Sequence, residues 1–267
     1  MYSQVNMASV YNDNKLIQDG ETADDILDGR FRVIQKKTGY RFSLDALLLA
    51  HFVRLKKGEA LLDLGTGSAV IPLLIFHRWG CSRVGGIEIQ TGLAAMARRT
   101  LALNGLSDQI GIVEGDIRSI EQLIAPRSFD AVTFNPPYRK LQSGKINPLH
   151  EKAQARHELH GSVGDFIRAA AYAVPAHGPV FMIYPARRLA ELIFQMRRFQ
   201  VEPKRLRMVH SRVDTEGEFV LMEGIVTGGE ELTVLPPLVI YEQNGVYTPA
   251  MEEIFTDLCV AAGNGAD

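Results

Sequence analysis

Little in this chain resembles a stapled, secreted or membrane-embedded protein. Only two cysteines, Cys81 and Cys259, occur in 267 residues. Neither a disulfide framework nor a cysteine metal site can be built from them. No apolar run approaches the length of a membrane span. The opening MYSQVNMASVYNDNK lacks the apolar core of a secretory leader, so a reducing cytoplasm is the simplest expected setting. Positive charge is missing from one whole region: residues 213–267 contain no lysine or arginine.

The chain is 46% hydrophobic and 22% charged. That excludes disorder for most of its length and leaves room for one large α/β domain with a filled core. The net charge of −2 hides an asymmetry. Residues 1–126 are balanced, residues 127–212 net +9, and residues 213–267 net −11. So basic a middle segment suits a polyanionic partner. An acidic tail folded back onto it accounts for the same numbers.

Residues 1–22 are polar and irregular and are expected to be flexible. A single domain is expected over 23–267, made of a hairpin and helix (23–50), a core (51–228) and a C-terminal extension (229–267). Asp28-Gly29 between Ile26-Leu27 and the Phe31/Val33 alternation reads as a β-hairpin turn. Ser43 can cap a helix carrying Leu44, Leu47, Leu48 and Phe52. From Ala60 onward strand and helix alternate. Strands are expected at 60–64, 83–89, 109–116, 129–134 and 179–184, and helices at 70–79, 92–104, 117–124, 163–175 and 186–199. Strands at 204–210 and 218–226 close the pattern. The tail holds one more hairpin, at Asn244-Gly245. This alternation predicts a mostly parallel seven-stranded sheet covered by helices on both faces, with one antiparallel strand at its end.

Four strand ends carry chemistry. Asp63-Leu64-Gly65-Thr66-Gly67-Ser68-Ala69 follows the first core strand and opens a helix. The glycines permit a sharp turn and close backbone approach, and the helix N-terminus adds free N–H groups. An acid at that strand end repels a pyrophosphate but suits the cationic methionyl part of S-adenosylmethionine. Glu88, 25 residues after Asp63, ends the next strand beside Ile89 and can accept both ribose hydroxyls. Nicotinamide cofactors are held by the same device. Asp116-Ile117 ends the third strand, an acid and an apolar side chain suited to adenine; Asp116 as a simple helix cap fits equally well. Asn135-Pro136-Pro137-Tyr138 ends the fourth strand. Two prolines stiffen the turn, and an amide and a ring are presented where open α/β sheets bind ligands. The Asn135 side-chain oxygen and the Pro136 carbonyl can accept both hydrogens of a planar amine, while Tyr138 stacks on its face. No strong base is needed.

These motifs resemble the class I S-adenosylmethionine-dependent methyltransferases of the amino-methylating N-P-P-Y group, with their Rossmann-like fold. Two further stretches, Gln35–Ala46 (QKKTGYRFSLDA) and Lys152–Glu158 (KAQARHE), resemble the bacterial tRNA-Val adenine-37 N6-methyltransferase family. So do PKRLRMVH and LPPLVIYEQNGVYT. The resemblance implies S-adenosylmethionine as cofactor, held by Asp63, Gly65, Thr66, Gly67, Glu88, Ile89, Asp116, Ile117 and Asn135. It also implies contacts from an upstream segment containing Tyr40, Phe42 and Ser43. Asn135, Pro136 and Tyr138 become the catalytic turn, and an RNA, tRNA in particular, the substrate. Family members often have a third glycine where this chain has Ala69. No metal is expected; His150, His157 and His160 lack partner spacing. Arg156-His157-Glu158 orders its loop or meets phosphate. Arg187-Arg188 and Arg197-Arg198 form either an RNA-facing helix side or a solvated one. The rival readings are glutamine N5-methylation of a release factor and a silent RNA-binding protein.

Overall fold

The computed structural model describes residues 16–38, 43–136 and 161–260. An antiparallel hairpin comes first, β1 (Glu21–Ile26) and β2 (Phe31–Lys36). Its connection is a four-residue loop in which Leu27, Asp28 and Gly29 all take positive φ, looser than a two-residue Asp-Gly turn. Helix α1 (Leu44–Phe52) follows. The core then runs β3 (Ala60–Leu64), α2 (Val70–Trp79), β4 (Arg83–Glu88), α3 (Thr91–Leu103), β5 (Ile110–Glu114), a 3₁₀ helix (Ile117–Gln122) and β6 (Ala131–Phe134). After 161 come α4 (Val163–Ala173), β7 (Pro179–Pro185), a 3₁₀ turn (Ala186–Arg188), α5 (Leu189–Arg198), β8 (Val201–His210) and β9 (Gly217–Val226). The short strands β10 (Thr233–Val234) and β11 (Leu238–Val239) and helix α6 (Pro249–Cys259) end the described chain.

The main sheet is ordered β10-β8-β9-β7-β6-β3-β4-β5, with β11 also paired to β8. Every neighbouring pair is parallel except those of β9, which is antiparallel to both β7 and β8. The expected antiparallel strand is therefore present, but it lies inside the sheet between β7 and β8 rather than at its end. The six-residue link from β8 allows only a hairpin return, and β9 fills the gap beside β7. The sheet also exceeds seven strands, because β10 and β11 extend it along β8.

Burial follows the two-residue period of the strands. Leu61, Val84, Ala131, Phe181 and Ile183 face one cluster, with α1, α2 and α6 packed there. Leu62, Leu64, Val132, Phe134 and Met182 face the other, under α4 and α5. Strand β3 is buried along its whole length, as a central parallel strand covered on both faces must be. The N-terminal hairpin docks on α3. Glu21 and Arg99 make a largely buried ion pair, and Asn104 exchanges two hydrogen bonds with the Arg32 backbone. Burying such charges is tolerable only because they are paired.

Two further elements depart from the sequence reading. Residues 186–199 are not one helix: a 3₁₀ turn precedes α5, with Arg188 at the junction at φ −108°, ψ 17°. The pairs Arg187-Arg188 and Arg197-Arg198 therefore do not share one uninterrupted helical face. The tail contains helix α6, read from sequence only as extension. Thr248 caps it through its side chain, Pro249 opens it, and Met251, Ile254 and Leu258 pack inward. The acidic tail meets the basic segment at two ion pairs and the N-terminal part at another site. Glu223 pairs with Arg205, Glu230 with Arg197, and Asp257 with His51 and Arg78.

Candidate active site

The parallel strands β3, β4, β5 and β6 all end at one edge of the sheet, and the chemistry-bearing residues stand there. Asp63 and Thr133 are register partners on β3 and β6. The Thr133 hydroxyl donates to Asp63 Oδ1 at 2.8 Å. Asp63 is only 1% exposed. Its Oδ2 and the Thr66 Oγ1 are both buried, and neither completes a hydrogen bond. Burial, with the Glu88 carboxylate nearby, pushes the Asp63 carboxyl up to about 7, against the opposing pull of the Thr133 hydrogen bond.

The glycine turn is held over this acid by backbone bonds. The N–H groups of Gly65 and Thr66 both donate to the Ile87 carbonyl, at 2.8 and 3.0 Å. Gly65 sits at φ +70°, and a Cβ there would lie 3.2 Å from the Phe166 ring. Gly86 on β4 permits the close approach from the other side, since a Cβ there would fall 2.8 Å from Thr66 Cγ2. Ala69, where the resemblance leads one to expect glycine, takes a left-handed conformation at φ +66° as the residue before α2, with its methyl fully buried. That conformation costs an alanine about 1 kcal/mol.

Glu88 clamps two turns at once. Its Oε2 accepts from Gly67 N–H at 3.0 Å and its Oε1 from Gln90 N–H at 2.9 Å. Each oxygen keeps a further lone pair for a donor such as a hydroxyl. Asp116 caps the 3₁₀ helix through Arg118 N–H, and its ion pair with the Arg118 guanidinium holds its carboxyl below the usual range. The capping role is thus real, and the same residue lines a cleft with Gly65, Ile87, Ile89, Ile117 and Phe166. Ile89 and Ile117 supply apolar walls, and Asp116 a polar end.

Phe166 was not singled out by sequence. It lies on α4, far along the chain, within a plain amphipathic pattern. Its ring packs under Gly65 and against Phe134, 5.5 Å between centroids. Phe134 directly precedes Asn135, so one ring touches both the glycine turn after β3 and the residue that leads into Asn135-Pro136. Only the fold brings them together.

Asn135 is half-buried and Pro136 buried at the end of β6. Ser43 occupies the residue before α1, exposed, and its hydroxyl makes no capping bond. Tyr40, Phe42 and Tyr138 lie outside the described residues, as do Arg156-His157-Glu158 and the histidines 150, 157 and 160. Among the described residues no three His, Cys, Asp or Glu side chains come together as a metal site.

The donor set fits a ligand with one cationic and one hydroxylated end. The buried, unpartnered Asp63 oxygen calls for a cationic donor, Glu88 for hydroxyls, and the Ile89/Ile117 cleft for a flat apolar ring. Residues 43–182 match the model of the methyltransferase small domain. This chain belongs to that family. The methyltransferase is 30% identical over 228 residues to a Porphyromonas gingivalis protein named tRNA1(Val) (adenine(37)-N6)-methyltransferase, covering 82% of this chain and 89% of that one. It is 25% identical to a protein of the same name from a Shewanella species, over 85% and 95% of the two chains. Among solved structures it superposes on a predicted O-methyltransferase from Agrobacterium tumefaciens with a TM-score of 0.65 at 22% identity, over 83% of this chain and all of that one. That likeness establishes the class I fold. The methyltransferase is an enzyme, and its cofactor is S-adenosylmethionine.

Proposed function

We propose that this methyltransferase transfers a methyl group to the exocyclic N6 amine of adenine in RNA, and in tRNA specifically. The observation that carries the reading is the placement of Asn135-Pro136 at the end of β6, next to the strand whose end holds Asp63. Both curated relatives described above bear that activity in their names. In this reading Asp63 and Glu88 anchor the cofactor's cationic and ribose ends, and Ile89, Asp116 and Ile117 its adenine. Tyr40, Phe42 and Ser43 cover it. The bound cofactor supplies an electrophilic methyl on a sulfonium.

The protein's part is orientation. Asn135 Oδ1 and the Pro136 carbonyl accept the two amine hydrogens, which localises the nitrogen lone pair toward the methyl. Tyr138 stacks on the adenine, which must leave its base stack to reach this edge. The methylated nitrogen is an anilinium-like cation, acidic enough to lose its proton to water without a buried base, and the sulfonium is left as a neutral thioether. A cytoplasmic location accompanies a tRNA substrate.

The deciding experiment is transfer of tritiated methyl to bulk tRNA, followed by nucleoside analysis of the product. N6-methyladenosine is the expected product. Label on a release-factor glutamine instead of on RNA would replace this substrate with a protein one, and no transfer to either would leave a silent fold.

The basic segment gives a second expectation. Arg188 pairs with Glu191 at 2.7 Å and lies 5.2 Å above the Tyr184 ring, while Arg197 is shared by Glu202 and Glu230. Local carboxylates thus satisfy part of the positive charge. Replacing Arg187 and Arg188 together by glutamate is expected to weaken tRNA binding and lower the salt slope by about 1–2. Cofactor affinity stays unchanged. A slope equal to the parent's assigns both arginines to the fold.

A further inference from the structure

The segment YEQNGVYT, residues 241–248, takes no part in the cofactor site, yet the fold delivers it to the same edge of the sheet. Strand β9 is antiparallel to both β7 and β8, so β8 runs in the direction of β6 and β7 and ends at the catalytic edge. Strand β11 runs parallel to β8, with Val239 opposite His210. Ile240 and Tyr241 then donate their N–H groups to the carbonyls of His210 and Ser211. From there the chain passes beyond the end of β8, turns at Asn244-Gly245 and returns, with Tyr241 bridged to Tyr247. Bonds from Glu242 N–H to the Val246 carbonyl and from Val246 N–H to Asn244 Oδ1 close the turn, and Gly245 takes φ +84°.

This small hairpin carries an aromatic stack. The Tyr241 and Tyr247 rings lie 5.2 Å apart and 20° from parallel, and Phe255 of α6 braces Tyr247 edge-on at 5.0 Å. One side of the stack is open: Tyr247 is 37% exposed and Val246 55%, while Tyr241 is half-buried against the core. The adjoining β8–β9 turn exposes Val213 at 75%. Apolar and aromatic side chains are therefore held out at the edge where the acceptor must arrive. The cofactor residues occupy the other direction along that edge, toward β4 and β5.

We infer that the Tyr241–Tyr247 pair is a stacking platform for an unpaired base of the RNA substrate, a second contact beyond the adenine held at the catalytic turn. The inference rests on the RNA reading given above. Chemistry selects this occupant. Sequence-specific RNA recognition uses unstacked bases laid on aromatic rings. Gln243 and Asn244 at the exposed tip offer amide donors and acceptors for base edges. The hairpin holds Glu242 and no cation, and the neighbouring turn has Asp214 and Glu216 against a single Arg212. With no lysine or arginine in the hairpin to meet phosphate, what it offers an RNA is ring faces and amide groups, the contacts a base makes. From β6 to β11, which leads into the hairpin, is four inter-strand steps, about 19 Å, a distance a few splayed nucleotides cover.

The test uses the full-length enzyme, bulk tRNA and Tyr241; because this ring also packs against the core, Tyr241→Phe, which keeps that packing, is the paired control. Tyr241→Leu is expected to raise KM for tRNA about tenfold, the effect of one lost base–aromatic stack. Its kcat at saturating tRNA, cofactor affinity and the salt slope of tRNA binding stay at parental values. Tyr241→Phe keeps the stacking face and the parental KM. A parental KM in Tyr241→Leu, or equal losses in the Leu and Phe variants, overturns the platform while leaving the RNA reading intact. A lowered salt slope in Tyr241→Leu also overturns it, since phosphate contact would then be the lost interaction. A parent enzyme that methylates a glutamine-containing protein and no tRNA overturns the platform and the RNA reading together.

Discussion

Asn135→Ala is expected to lower kcat by roughly 10²-fold or more, the scale seen when one preorganised polar contact to the reacting centre is lost. Cofactor affinity should stay within about twofold of the parent, because Asp63, Glu88 and the Ile89/Ile117 cleft remain in place. The fold should survive as well: Asn135 is only half-buried, and the register of β6 is set by its pairing from Ala131 to Phe134 with β3 and β7. The measurement is single-turnover methyl transfer to tRNA, with cofactor binding by calorimetry on the same sample. Tyr138→Ala separates the other half of the proposal. It should weaken tRNA capture by about 1–3 kcal/mol, one base–aromatic stack, with Tyr138→Phe near parental. Normal turnover in Asn135→Ala on every RNA the parent methylates would refute the orientation mechanism while leaving fold and cofactor untouched.

The core strands and the polar ends of the site were readable because each local signal is complete within a few residues. ALLDL is a buried parallel strand by composition, and D-x-G-x-G at its end dictates a turn that only small residues tolerate. Glu88 and Asn135-Pro136 follow strands whose apolar runs are equally plain. What escaped was set by distance along the chain. Phe166 sits on an ordinary amphipathic helix, and nothing local distinguishes it from Phe134 or Ile167. Its position beneath Gly65 exists only once α4 crosses the sheet. Strand β9 has the same limitation: its apolar pattern announces a strand, but whether it lies at the edge or inside depends on which side of β7 is free.

Helix α6 is a different case, because its signal was present. Thr248-Pro249 is a cap followed by proline at the first helical position, and Met251, Ile254 and Leu258 recur at helical spacing. The hairpin at Asn244-Gly245 drew the reading toward strand chemistry instead. Strand β8 shows how a local rule bends. Pro203 lies within it, and the register slips by one residue between Pro203 and Arg205, the bulge a proline requires inside a sheet.

Asp63 yields the second large effect, and its sign follows from burial. The carboxyl titrates near 7 in the folded protein, against 3.8 ordinarily. Between those values the folded chain holds a proton that the unfolded chain has lost. The contribution of Asp63 to the stability of the cofactor-free protein is therefore expected to fall as pH rises from about 4 to 7, and to level off above 7. Cofactor binding should run the opposite way. A cationic ammonium needs the ionised carboxylate, so affinity should rise with pH, approach tenfold per unit below 7, and flatten above it. Binding at pH 6 should then release close to one proton, read by calorimetry in buffers of different ionisation enthalpy. Asp63→Asn keeps an acceptor for the Thr133 hydroxyl but holds no charge at any pH. It should cut cofactor affinity at pH 8 by about 10- to 100-fold, the loss of a charge-assisted hydrogen bond. It should also abolish the pH dependence of cofactor binding below 7 and remove the Asp63 contribution to the stability profile. Asn135→Ala retains both, which separates the residue that anchors the cofactor from the residue that orients the acceptor. If Asp63→Asn binds S-adenosylmethionine as the parent does at pH 8, the ammonium is held elsewhere. A pH-independent parent affinity between 5 and 8 would show instead that Asp63 is ionised throughout, and that solvent or an unfilled hydrogen bond relieves its burial before the cofactor arrives.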